Sequence, residues 1–116
     1  MNKPFLKRRF CYLLCDMVRP LGATGLLRVK IGITDNPVQR LKSFKHANPD
    51  YDFLHCWYCR SWAALLEKTL HKKFAKHRIG GEWFDLPEDV LWELMFLSVD
   101  QIVYGWSSMP ANDYEI

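Results

Sequence analysis

No lysine and no arginine occurs after residue 81. All sixteen basic residues lie in 1–81, where only Asp16, Asp35, Asp50, Asp52 and Glu67 oppose them, a balance of +11. Residues 82–116 carry eight acids and a balance of −8, so the formal net charge of +3 conceals a split. Such a split suits a polyanion as partner of the first part. It also suits two halves that pair with each other in one compact domain, and it leaves the acidic part as a candidate surface for a protein partner. No apolar run reaches the roughly 18 residues of a membrane span, so no membrane association is expected. The basic start, Met1 to Phe10, is not followed by a long apolar segment, so no signal peptide is expected and a cytoplasmic protein is the default. Internal repeats and low-complexity tracts are lacking. No glycine-rich knuckle surrounds the cysteine pairs Cys11/Cys15 and Cys56/Cys59. Strand alternation sets Cys56 and Cys59 on opposite faces. Buried free thiols are therefore expected over a structural zinc site made of all four.

What is present is a folded domain. A chain of 116 residues with 49% hydrophobic and 15% aromatic content has the size and composition of one domain. Residues 1–9 read as a basic lead-in, 10–104 as a single domain and 105–116 as an acidic tail. Phe10 to Cys15 is β-prone. The stretch Arg19-Pro20-Leu21-Gly22-Ala23-Thr24-Gly25 breaks any periodicity and reads as a hairpin loop. Leu26 to Thr34 alternates cleanly, with Leu27, Val29, Ile31 and Ile33 on one face and Arg28, Lys30, Gly32 and Thr34 on the other. Gly32 leaves room beside Lys30 for a neighbouring group or a ligand.

Asp35-Asn36-Pro37 starts a helix, an Asx cap followed by proline. Val38, Leu41 and Phe44 form its apolar stripe, and Asn48-Pro49-Asp50 ends it. Tyr51 to Cys59 is a third strand. A second helix, capped by Ser61, buries Ala63, Leu66, Leu70 and Phe74, exposes Lys68, Lys72, Lys73 and Lys76, and closes at Ile79-Gly80-Gly81. Glu82 to Leu86 is a short extended piece. A third helix starts at Pro87-Glu88-Asp89, with Val90, Leu91, Leu94, Met95 and Leu97 as its apolar residues. The fold class is α/β (α+β), a three-stranded antiparallel sheet flanked by helices with a C-terminal helix.

Glu67 is the only acid in residues 53–81 and shares a helix face with His71 at i+4. A lone carboxylate in basic surroundings attracts a divalent cation; the plainer alternative is an exposed Glu paired with Lys68 or Lys72. Arg40, off the apolar stripe and close to the end of the second strand, can reach a phosphate in bidentate fashion or be an ordinary surface arginine. Tyr12 offers a phenol if it faces a site, or packs as an aromatic. Arg28, Thr34, Lys42, Lys45, His71, Lys72, Lys73 and Arg78 are candidate nucleic-acid contacts.

Phe10-Cys11-Tyr12, Lys30-Ile31-Gly32-Ile33-Thr34, Arg40 and Glu67, in this order, resemble the GIY-YIG nuclease superfamily. The branch resembled is the T5orf172/MUG113-like one, found in phage and bacterial proteins. Typical of it are Val-Lys-Ile-Gly-x-Thr, the Glu67-x-x-x-His71 pair and Gly81-Glu82-Trp83-Phe84. The resemblance covers roughly residues 10–86. It implies that Tyr12 takes part in activating water, that Arg40 stabilises the phosphate, and that Glu67 holds one divalent metal, Mg²⁺ or Mn²⁺. Lys30, on the face of Gly32 and Thr34, adds positive charge. Two departures stand out: Phe10 replaces the first glycine of the opening motif, and Lys30 replaces the second tyrosine. The implied function is a divalent-metal-dependent endonuclease hydrolysing phosphodiester bonds, with DNA as the expected substrate. The alternatives are a catalytically inactive nucleic-acid-binding protein of this fold and a protein-interaction module.

Overall fold

A computed structural model describes residues 9–20 and 25–105. The first eight residues of the basic lead-in, loop residues 21–24 and the tail from 106 lie outside the described residues. The strands are β1 (Phe10–Asp16), β2 (Leu26–Thr34), β3 (Tyr51–Tyr58), β4 (Arg78–Gly80) and β5 (Trp83–Pro87). The helices are α1 (Pro37–Ala47), α2 (Ala63–Lys73) and α3 (Glu88–Met95). Short 3₁₀ turns stand at Arg60–Trp62 and Ala75–His77, and a π-type turn at Gln101–Gly105.

The strands form one antiparallel sheet in the order β3-β1-β2-β5-β4. Central β1 is buried from Cys11 to Cys15, which is why it reads as an apolar run without alternation. One face of the sheet presents Leu13, Val29, Ile31, Phe84 and Leu86 to α2 and α3. There they meet Ala63, Leu66, Leu70 and Phe74, then Val90, Leu91, Leu94 and Ile102. The stripe expected of the second helix is thus in the core; of that expected of the third, Val90, Leu91 and Leu94 are in it, while Met95 and Leu97 are half-buried and pack against it. The other face is covered in part by α1, whose Phe44 packs against Tyr12 and Tyr51 at ring-centroid distances of 5.8 and 6.2 Å. α1 therefore lies over the β1–β3 half and buries no residue fully. Val38, expected in its apolar stripe, is exposed.

The sheet has five strands where the sequence reading expects three. The stretch taken as the close of the second helix is strand β4, and the extended piece after it is β5. α2 ends at Lys73. Both strands become strands by pairing with a distant edge: β5 pairs with Leu26–Lys30 of β2. Three exposed residues ending in glycine carry no local strand signal of their own. Gly81, at φ +54°, makes the tight reversal between them. Ser61 is not the cap of α2: it lies in the 3₁₀ turn, and Trp62 precedes the helix without a side-chain cap. The start of α1 follows the local rules, with Asn36 Oδ1 accepting from Gln39 N at 3.1 Å and Pro37 in the first turn.

Candidate active site

Tyr12 stands directly opposite Gly32 across the β1–β2 ladder. A Cβ built at Gly32 would collide with the Tyr12 hydroxyl, lie 2.6 Å from Tyr12 Cζ and reach 3.1 Å from Glu82 Oε1. The missing side chain is what lets the tyrosine ring lie across β2. Room beside Lys30, expected at this glycine, is thus taken by Tyr12 and bordered by Glu82.

Lys30 is the cross-strand neighbour of Trp83, so both project from the same sheet face. Its ammonium lies 3.4 Å from Glu82 Oε1, 5.6 Å from the centre of the Trp83 ring and 6.0 Å from that of Phe44. An aromatic wall and one carboxylate fix it. Glu82 arrives by way of the glycine turn, and its backbone carbonyl accepts from Ile31 N at 2.9 Å.

Glu67 comes from the helix on the other side of the sheet. The β2–β5 ladder ends near Ile31, which leaves the last residues of β2 without β5 beside them. α2 is tied to that edge by His71, whose Nε2–H donates to the Ile31 carbonyl at 2.9 Å. His71 also packs its ring 5.0 Å from Phe84. One helical turn earlier, Glu67 points along the same face, and its Oε2 is buried. Arg40 reaches in from the first turns of α1, which Thr34 and Asn36 hold in place: Thr34 Oγ1 accepts from Asn36 N at 3.1 Å.

Tyr12, Lys30, Arg40 and Glu67 line a single cavity of about 380 Å³, together with Ile33, Phe44 and Glu82. The four residues singled out as catalytic candidates are thus brought together from β1, β2, α1 and α2. Burial pushes the Tyr12 phenol well above its ordinary range, and the Glu82 carboxylate pushes it further. Arg40 acts in the opposite sense, and Glu67 adds to the rise. Tyr12 is therefore a neutral phenol at neutral pH, with a proton to donate.

Glu82 is the ionisable lining residue that sequence reasoning did not assign to the site. It belongs to the Gly81-Glu82-Trp83-Phe84 motif, yet it was grouped with the acidic part. The signal that could have found it is an acid directly after a double-glycine turn.

The candidate nucleic-acid contacts are scattered. Arg28 is bound in bidentate fashion by Asp85, at 2.9 and 3.1 Å. Thr34 is buried. Lys42 and Lys45 are exposed on α1, with Lys45 Nζ donating to the Pro49 carbonyl at 3.3 Å. Lys72 and Lys73 line a separate groove with Lys68 and Tyr104 on the outer side of α2. Arg78 braces the β4–β5 turn, its Nε donating to Gly81 O at 2.6 Å. The ion pairs Arg28–Asp85 and Lys30–Glu82 both join the basic part of the sequence to the acidic part.

Cys11, Cys15 and Cys59 are buried and Cys56 half-buried, all as free thiols. Among the described residues no three of His, Cys, Asp or Glu are grouped as a metal-ligand set, and no helix is long and apolar enough to cross a membrane.

A five-stranded antiparallel sheet with helices on both faces, and a cavity combining a phenol, two cations and two carboxylates at its rim, define a small α+β domain with a polar cleft. Residues 10–98 match the family model of the T5orf172 domain, and the chain belongs to that family, which is associated with GIY-YIG-like nucleases. Comparison with curated proteins and with solved structures gives no match.

Proposed function

We propose that the chain is a divalent-metal-dependent endonuclease that hydrolyses phosphodiester bonds in DNA. The observation that carries this reading is the convergence of Tyr12, Lys30, Arg40 and Glu67 on one cavity. Phosphodiester hydrolysis needs a positioned oxygen nucleophile, charge neutralisation at phosphorus and help for the leaving oxygen. Arg40 supplies a planar fork of donors for the phosphoryl oxygens. Lys30, held by Glu82 and the rings of Trp83 and Phe44, supplies a fixed point charge where the family's second tyrosine is missing. The Tyr12 hydroxyl, kept protonated, hydrogen-bonds and orients the attacking water or the phosphate oxygen beside it. That hydroxyl and Glu82 Oε1 both border the space over Gly32.

The donor set fits a hard cation. Glu67 and Glu82 are oxygen donors on the same cavity, and Mg²⁺ commonly takes one or two carboxylates and completes its shell with water and substrate phosphate. When bound, Mg²⁺ or Mn²⁺ would supply positive charge next to the phosphate and a more acidic water; Glu67 and Glu82 would hold it.

The test is a cleavage assay on plasmid and linear DNA across a panel of divalent metals. Wild-type protein is expected to nick or cut with Mg²⁺ or Mn²⁺. Glu67→Ala is expected to abolish cleavage, and Arg40→Ala to lower kcat by about 10²–10³-fold, the usual cost of one charge-stabilising donor. No cleavage with any metal would end the catalytic reading.

One observation favours a second reading, a nucleic-acid-binding domain that does not cut. Lys30 is already paired with Glu82 at 3.4 Å, so its charge is partly compensated before any phosphate arrives. On that reading DNA binding persists in Glu67→Ala, while charge reversal at Lys72 and Lys73 weakens it and flattens its salt dependence.

A further inference from the structure

The sheet face that carries Tyr12 and Lys30 continues beyond α1 into a second cavity, of about 520 Å³. That volume lies in the range of small-ligand sites. Trp83 and Tyr51 form one wall, and their ring centroids are 6.0 Å apart and tilted by 35°. Arg19 and Arg28 stand on its rim, and the exposed edge strand β4 contributes Ile79 and Gly80. Asp16, the one acid among the described lining residues, is taken up locally: Oδ1 accepts from Val18 N and Arg19 N, and Oδ2 from the Asn48 side chain. Arg28 is neutralised in large part by Asp85, so the cavity is an aromatic surface with a cationic rim more than a strong anion site.

The two cavities adjoin through contacts between their lining residues. Tyr51 packs on both Trp83 and Phe44, and Phe44 lines the first cavity. Lys30 of the first cavity lies 5.6 Å from the Trp83 ring. A chain whose phosphate met Lys30 and Arg40 would have a neighbouring base within reach of Trp83. Half-buried aromatic rings beside a phosphate site are what a nucleobase stacks on, and only a base that is not held in a duplex offers its face.

We infer that the cavity of Trp83 and Tyr51 is a stacking subsite for an unpaired nucleobase next to the phosphate, so that the substrate is single-stranded DNA or a duplex carrying an unpaired nucleotide. This rests on reading the first cavity as the phosphate site.

The test is binding in EDTA, where cleavage plays no part, using fluorescence anisotropy with labelled single-stranded oligonucleotides, abasic oligonucleotides of the same length, and blunt duplexes at one salt concentration. The single strand is expected to bind more tightly than the blunt duplex, and the abasic strand about fivefold or more below the normal one. Trp83→Leu is expected to shrink the difference between the normal and the abasic strand towards none, while Trp83→Phe retains that difference. Equal affinity for normal and abasic strands would overturn the inference, and this comparison uses wild-type protein, so it stands even where Trp83→Leu fails to fold. A preference for bases without cleavage under any metal would sink the endonuclease alone; cleavage of blunt duplex without that preference would sink the subsite alone.

Discussion

At Gly32 one hydrogen in place of a methyl group decides whether the site can form. A methyl there meets the phenol of Tyr12, whose ring packs against Phe44 and Phe53 at centroid distances of 5.8 and 5.1 Å. Gly32→Ala is therefore expected to destabilise the fold by about 1–3 kcal/mol through overpacking, read as a lower urea midpoint, and to displace Tyr12 enough to lower cleavage more than stability accounts for. Unchanged stability and cleavage would mean that the Tyr12 ring has another place to lie. At this scale the sequence was informative where residue type limits chemistry. A lone Glu67 among cations, and a glycine between Lys30 and Thr34, were visible as oddities. Glu82 was not, because its role comes from a turn that brings it to Lys30, fifty-two positions away in the chain.

Among the elements, α1 is the one whose placement is governed by local rules. Asn36 caps it, Pro37 starts it, and Thr34 anchors the turn before it. The helix buries no residue fully, so its cap is a large share of what holds it, and Arg40 rides on its first turns. Asn36→Ala is expected to cost about 1 kcal/mol and to lower cleavage through looser placement of Arg40, while Asn36→Ser restores most of both. Parallel measurement of thermal midpoint and cleavage rate checks this; a rate equal to wild type would mean that Arg40 is held by something other than its helix. α2 illustrates the opposite case. Its stripe of Ala63, Leu66, Leu70 and, at the cap, Phe74 was legible from a period of 3.6, but its end at Lys73 was not, and the residues Arg78–Gly80 further on are drawn into the sheet by β5.

Across the whole molecule, the buried thiols set an alkaline limit. Burial raises Cys15 and Cys59 from 9.0 to about 11, and moves Cys11 in the same direction. In the unfolded chain these thiols ionise near 9, whereas in the folded protein they stay neutral until about 11. Their contribution to stability is therefore complete below pH 9 and is lost as the pH climbs from 9 to 11. Urea midpoints should hold steady up to pH 9 and then fall, and Cys15→Ala should make the fall shallower. A midpoint that is flat through pH 11 would contradict the burial of these groups. The charge split also resolves at this scale: Arg28–Asp85 and Lys30–Glu82 draw part of the acidic stretch onto the basic one, while Lys42 and Lys45 of α1 and Lys68 and Lys72 of α2 stay exposed on separate surfaces.

The sequence by itself determined the period-two strand Leu26–Thr34, the capped start of α1, the buried stripes of α2 and α3, and the residue types able to do phosphate chemistry. Each follows from interactions within a few residues: alternation, caps, helical spacing and the limits of side-chain chemistry. Tertiary structure alone decided that the sheet has five strands, that Glu82 and Trp83 stand beside Lys30, and that Lys72 and Lys73 belong to a different surface from Glu67. Those facts depend on hydrogen bonds and packing between segments some fifty residues apart, such as β2 with β5 and His71 with the Ile31 carbonyl. A strand edge takes whichever distant segment fits its open N–H and C=O groups, and no local pattern in β4 announces that choice.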